Sequence, residues 1–480
     1  MTNANLRRTK IVATLGPASD SPERVAQLIV AGVDVFRLNF SHGSYDDHGE
    51  RIRRIREAAQ AADRNVAILQ DLQGPKIRTG TLKGGMPVLL TEGAAFSIVT
   101  TPLEGDERQV STTYTALPDD VRPGESILLS DGLIELRVTG VRPGEVQTRV
   151  VYGGSLREKQ GINLPGTAVS APAITAKDQA DLQWGLAHDV DYVAMSFVRR
   201  ASDVQDLKQL IATAGKRTPV VAKIEKPQAL QEIDAIMEAT DVIMIARGDL
   251  GVEMAPEQVP LVQKDLIAAA ARHNVTVITA TQMLESMIQH ARPTRAEASD
   301  VANAIFDGTD AVMLSGETAN GQFPVEAVEM MARIACTTEQ CGRYEQQLVA
   351  WWSQHRVHEH PDSLLAISQA ARAIADTLPL AAVVAFTQSG RSARLVSANR
   401  PHVPIIAITP SADIARRVAL YWGVQACVSP EFEHLNEVDS FIRRELPALG
   451  YAQSGDYVVL TGGHPVAEHG PTNFIKVLQI

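Results

Sequence analysis

Val220-Val221-Ala222-Lys223-Ile224-Glu225 is an apolar, β-branched run that ends on a lysine and a carboxylate. Branching at Cβ suits a pleated surface better than a helix, so Val220 to Ile224 reads as a strand. Lys223 and Glu225 are two residues apart and face the same way. On its own, a charged strand end is usually a solvated rim. The weight comes from repetition. Similar runs follow at Val242 to Ile245, Val275 to Thr279 and Ala311 to Leu314, and one precedes at Tyr192 to Phe197. Helical patterns lie between them, as in Gln258 to Arg272. The N-terminal part has the same rhythm. Strands are expected at Ile11 to Thr14, Val33 to Phe40 and Val66 to Leu72, with helices at Pro22 to Ala31 and Asp46 to Ala62. Eight strands, each followed by a helix, predict a closed (β/α)8 TIM barrel. An open doubly wound sheet ranks below it because the count closes at eight.

Two other textures interrupt or follow this rhythm. Between Gly74 and Val169 helical patterns vanish, and short strands are expected at Val88 to Leu90, Ala95 to Val99, Ser126 to Leu129, Ile134 to Val138 and Val146 to Tyr152. Val-Arg-Pro-Gly-Glu occurs at 121–125 and again at 141–145, and Pro-Gly suits the centre of a type II turn. The segment reads as a small all-β barrel inserted into the larger one. After a helical stretch from Val325 to about Gln347 come Trp351-Trp352 and a polar, histidine-rich 353–362, which reads as a linker. A separate α/β open sheet follows, with strands at Ala382 to Phe386, Ile405 to Ile408, Ala426 to Val428 and Tyr457 to Leu460. The expected division is a barrel at 1–72 and 170–348, an inserted β lid at 73–169, and a regulatory α/β unit at 349–480.

The chain has 480 residues, of which 45% are hydrophobic and 21% charged, enough for large cores. A net charge of −11 argues against nucleic-acid and acidic-membrane partners, so an anionic substrate needs a local cluster of cations. Cys336, Cys341 and Cys427 have neither disulfide-framework nor metal-ligand spacing. No secretory signal is evident, and the longest apolar stretch, near Leu378 to Phe386, is too short to span a bilayer. A cytoplasmic protein is expected.

In a barrel of this kind the site gathers at the C-terminal strand ends. Here those ends read Arg37 through His42, Asp71 through Thr79, Lys223 to Glu225, Ala246 through Gly251, Thr279 through Glu285, and Ser315 through Thr318. Glu225 and Asp249, on neighbouring strands, suit Mg²⁺, which takes one or two carboxylates and fills its octahedron with water and substrate oxygens. Lys223 with Arg37 and Arg78 supplies the positive clamp that phosphoryl transfer requires. The amides of Gly248 and Asp249, opening a helix, suit a substrate carboxylate.

These stretches resemble those of pyruvate kinase, and the resemblance runs through essentially the whole chain. It implies conversion of phosphoenolpyruvate and ADP to pyruvate and ATP, with Mg²⁺ (Mn²⁺ as a substitute). Arg37 and Lys223 would contact the transferring phosphoryl group. Arg78, Asn39, His42 and Asp131 would lie on the nucleotide side. Glu225 and Asp249 would hold the metal. Thr281 with the Gly248 and Asp249 amides would bind the substrate carboxylate, and Thr281 with Ser315 would deliver a proton. Many pyruvate kinases also use K⁺, at positions that correspond to Asn39, Ser41, Asp71 and the Leu72 carbonyl. That branch carries a glutamate where this chain has Lys76, so a protein cation is expected to stand in and K⁺ not to be required. Thr387, Ser389, Gly390, Arg391 and Ser392 resemble the family's allosteric sugar-phosphate loop, the effector being a sugar phosphate or nucleotide. The resemblance also implies a homotetramer. A barrel lyase handling a pyruvate enolate and a catalytically dead sensor are the alternatives. The nucleotide-facing arginine disfavours the first, and the filled catalytic positions disfavour the second.

Overall fold

The computed structural model describes residues 7–167, 169–355, 362–468 and 470–480. Three strands come first: β1 (Lys10–Thr14), β2 (Val35–Asn39) and β3 (Ala67–Asp71). The excursion that follows holds β4 (Val88–Leu90), β5 (Ala95–Val99), β6 (Gln109–Ser111), β7 (Ser126–Leu129), β8 (Ile134–Arg142), β9 (Glu145–Tyr152), β10 (Gly154–Leu156) and β11 (Ile162–Asn163). The chain then returns with β12 (Tyr192–Met195), β13 (Val220–Ile224), β14 (Val242–Ala246), β15 (Thr276–Ala280) and β16 (Ala311–Leu314). The first three and last five of these close into an eight-stranded barrel, in the order β1-β16-β15-β14-β13-β12-β3-β2. All the pairings are parallel.

Closure explains the sequence texture. Every residue of β1, β3, β13, β14 and β15 is buried, because one face meets the helices and the other fills the barrel. Val12, Leu69, Val221, Met244 and Ile278 belong to the interior cluster, while Ile11, Ala13, Ile224, Ile243 and Val277 pack outward against the helices. Hydroxyl caps fix where the helices start. Ser44, Thr175 and Thr294 each form a reciprocal capping box with the aspartate or glutamate three residues on.

The excursion packs a six-stranded sheet, β11-β7-β8-β9-β5-β6, and a two-stranded sheet, β10-β4, around one apolar core. Both Pro-Gly turns have glycine at positive φ, +93° at Gly124 and +77° at Gly144, as the turn requires. A short helix, Leu117–Asp120, stands where no helical pattern was expected. The C-terminal unit comprises β17 (Leu380–Phe386), β18 (Ile405–Thr409), β19 (Val424–Val428), β20 (Tyr457–Gly462) and β21 (Phe474–Gln479), in the order β19-β18-β17-β20-β21. The antiparallel edge strand β21 was not anticipated. The expected linker is corrected at its start: a helix, Gly342–His355, carries the chain through Trp351-Trp352, whereas 356–361 lies outside the described residues.

Candidate active site

Three strand ends meet at the Lys223 ammonium, and two more join it through Asp71. Nζ lies 2.8 Å from Glu225 Oε1 and 3.3 Å from Asp71 Oδ1, and donates to Ser196 Oγ at 2.7 Å. The second carboxylate oxygen of Asp71 accepts from Arg37 Nε at 2.6 Å, and Arg37 also donates to Thr14 Oγ1 at 3.1 Å. Burial works against the charge on Lys223, but Asp71 and Glu225 outweigh it and lift its pKa above the ordinary lysine value. The ammonium is therefore charged at neutral pH. Asp71 is its counterpart: burial pushes upward, yet Lys223 and Arg37 hold the carboxyl below its usual range.

Glu225 and Asp249 sit side by side because β13 and β14 pair in parallel, Ile224 against Ile245. Glu225 Oε2 accepts the Phe197 amide at 2.8 Å, and Asp249 lies in the first turn of the helix Arg247–Glu253. Burial, Asp249 and Asp71 raise the Glu225 pKa against the pull of Lys223. Two neighbouring carboxylates are the donor set that a hard divalent cation accepts, so the residues fit Mg²⁺. Among the described residues no group of three His, Cys, Asp or Glu side chains is placed to hold a metal, so an ion on Glu225 and Asp249 would need further ligands from water or substrate.

Thr281, directly after β15, has φ +70°, an outlier for a β-branched residue, and Gln282 follows at +54°. Such backbone costs about 1–3 kcal/mol and persists only where the surroundings impose it. Arg247 does so, donating to the carbonyls of Ala280 and Thr281 at 3.3 and 2.8 Å. The strain turns Thr281 Oγ1 toward Gly248, whose amide donates to it at 2.7 Å. The Gly248 amide of the expected carboxylate cradle is thus already engaged by a threonine hydroxyl. Ser315 Oγ is buried without a hydrogen-bond partner. Its amide, like that of Leu284, is held by the fully buried Glu317.

On the outer side, desolvation lowers the His42 pKa, and the charges of Arg78, Lys76 and Arg37 lower it further. Lys76 is exposed and lines a cleft with Asp131, Phe197, Lys226 and Asp249. Asp131 stands in a turn of three left-handed residues, Ser130, Asp131 and Gly132. Arg78 donates to the Lys159 carbonyl at 3.0 Å. Of the monovalent-cation positions, Asn39 Oδ1 accepts the Ser41 amide, the Leu72 carbonyl accepts from Ser196, and both Asp71 oxygens face protein cations. In the C-terminal unit, Thr387 Oγ1 accepts the Gly390 amide at 2.9 Å, Ser392 bonds Thr472, Arg391 pairs with Asp362 at 3.0 Å, and Ser389 is exposed.

Sequence reasoning missed Thr14 and Ser196, the ends of the first and fourth strands. Both lack charge. The available signal was positional, since each hydroxyl closes a β-branched or apolar run at a barrel mouth.

Two family models match the chain: "Pyruvate kinase, barrel domain" over residues 6–328 and "Pyruvate kinase, alpha/beta domain" over 365–478. A pyruvate kinase of Geobacillus stearothermophilus is 48% identical over 477 residues, spanning 98% of this chain and 80% of that protein. Pyruvate kinase 2 of Synechocystis is 47% identical, with coverage of 98% and 79%. A crystal structure of a pyruvate kinase from Cryptosporidium parvum superposes with a TM-score of 0.93 at 36% identity, covering 99% of this chain and 97% of that one. The chain belongs to the pyruvate kinase family, the phosphotransferases that turn phosphoenolpyruvate and ADP into pyruvate and ATP.

Proposed function

We propose that the barrel mouth around Lys223 transfers the phosphoryl group with Mg²⁺ as its only required metal. Enzymes of this family generally use Mg²⁺. Lys223 and Arg37 hold the phosphoryl group in flight, and their charges offset the negative charge that gathers on its oxygens. Arg78, with Asn39, His42 and Asp131, holds the nucleotide phosphates. Glu225 and Asp249 would hold Mg²⁺, which would supply positive charge against the negative charge of the reacting groups. Thr281 and the Gly248 and Asp249 amides orient the substrate carboxylate, and Thr281 with Ser315 passes a proton to the enolate. The observation that carries this reading is the shared Asp71, which fixes Arg37 at 2.6 Å and Lys223 at 3.3 Å beside Glu225. Cytoplasmic location and a homotetramer are part of the same reading.

Lys76 supports independence from K⁺. One unit charge at 4 Å is worth roughly 4 kcal/mol at an effective dielectric near 20, enough for a protein cation to replace a bound one. ATP formation in Mg²⁺ buffer free of Na⁺ and K⁺ should proceed at the full rate. A strong K⁺ requirement would refute the idea.

Thr387 to Ser392, with Ser392 tied to Thr472, supports an effector site for a sugar phosphate or nucleotide. Alanine at Ser389 and Arg391 should abolish activation by such compounds and leave the unactivated rate within about twofold, since the loop does not reach the barrel mouth. An unchanged activation curve counts against it.

A further inference from the structure

Glu253 closes the helix whose first turn carries Asp249. Its side chain is 1% exposed. Oε1 accepts from Lys226 Nζ at 2.6 Å and from Asn163 Nδ2 at 2.9 Å, while Oε2 is buried with no partner. The three residues belong to three different elements. Lys226 directly follows Glu225. Asn163 lies on β11 of the inserted module, opposite Leu128 of β7, and β7 runs straight into the Ser130-Asp131-Gly132 turn. That turn reaches the same helix, since a Cβ at Gly132 would sit 3.8 Å from Val252.

We infer that Glu253 is a positioning residue that ties the Asp131 turn of the inserted module to the elements bearing Glu225 and Asp249. This rests on the nucleotide-side reading of Asp131 above. Lys226 neutralises the buried carboxylate, so the ion pair holds Glu253 in place. Asn163 adds the charge-assisted bond that crosses from module to barrel. Breaking it frees the module without touching the phosphoryl site. The cost falls on the nucleotide.

Steady-state kinetics of the full chain tests this. Asn163→Asp sets a second carboxylate against Glu253 and should raise KM for ADP about tenfold, the loss of one charge-assisted bond. KM for phosphoenolpyruvate should barely change, although the melting temperature should fall because the new carboxylate faces a buried one. Adding Glu253→Gln, whose amide can donate to the new aspartate, should bring KM for ADP back to within about threefold. If Asn163→Asp fails to fold, Asn163→Ala should give a smaller rise in the same constant alone. An unchanged KM for ADP, an equal rise for both substrates, or a rise that Glu253→Gln does not relieve would overturn the inference. An active Lys223→Met variant would instead overturn the underlying site assignment, so the two failures are distinguishable.

Discussion

At Asp71 one buried carboxylate serves two cations, and its loss would leave Arg37 and Lys223 without the counter-charge they share. Breaking a buried ion pair by removing one partner costs about 3–5 kcal/mol, so Asp71→Asn should lower the unfolding free energy by that order. Denaturant titration measures it, and an unchanged midpoint would count against the pairing. The pH sign follows from the depressed Asp71 pKa. Stability from this carboxylate is present at neutral pH and lost only as pH falls below the ordinary aspartate range, through the lower folded pKa. The charged members of this site were legible in the sequence because a lysine or glutamate ending an apolar strand is conspicuous. Thr14, Ser196 and the strain at Thr281 were not, since a hydroxyl or a positive φ carries no mark in composition.

The helix Tyr45–Ala61 is bound to the site by His48. Its ring stacks on Phe40 at 4.0 Å, just beyond β2, and its Nε2 lies 3.0 Å from the His42 carbonyl. Burial first, then Arg51, lowers its pKa from 6.5 to about 4. The unfolded chain therefore takes the proton first. Between pH 6.5 and about 4 acidification should cost stability, by about 2 kcal/mol once solvent screening is allowed for, and above pH 6.5 the penalty is absent. His48→Gln should flatten that part of the pH–stability curve, and an unaltered curve would show that the proton is taken elsewhere. Among the elements, the eight barrel strands were readable because each is buried on both faces. The strands that escaped, β6, β10, β11 and β21, are short or lie at edges, where pairing with distant residues decides the conformation rather than local pattern. The helix through Trp351-Trp352 escaped because the polar run after it suggested an early end.

Across the whole molecule, the three units were separable by texture, but the joints between them were not. At the end of the barrel opposite the site, Lys10 donates to the Val424 carbonyl at 2.6 Å, Arg416 meets Asp191 at 3.0 Å, and Arg400 meets Asp310 at 2.9 Å. Each joint spans tens to hundreds of residues of chain, and no local signal announces it. The C-terminal unit thus rests on the floor of the barrel, and the inserted module meets the opposite end through the bond from Asn163 to Glu253. At the mouth, residues from the ends of β3, β12 and β13 meet at one ammonium, and those of β1 and β2 join them through Arg37 and Asp71. A single substitution there reads the whole assembly. The decisive measurement is ATP formation from phosphoenolpyruvate and ADP by Lys223→Met, with folding checked in the same sample. Losing this charge should slow phosphoryl transfer by about 10³-fold or more in a protein that remains folded. Turnover near that of the parent chain would contradict the account.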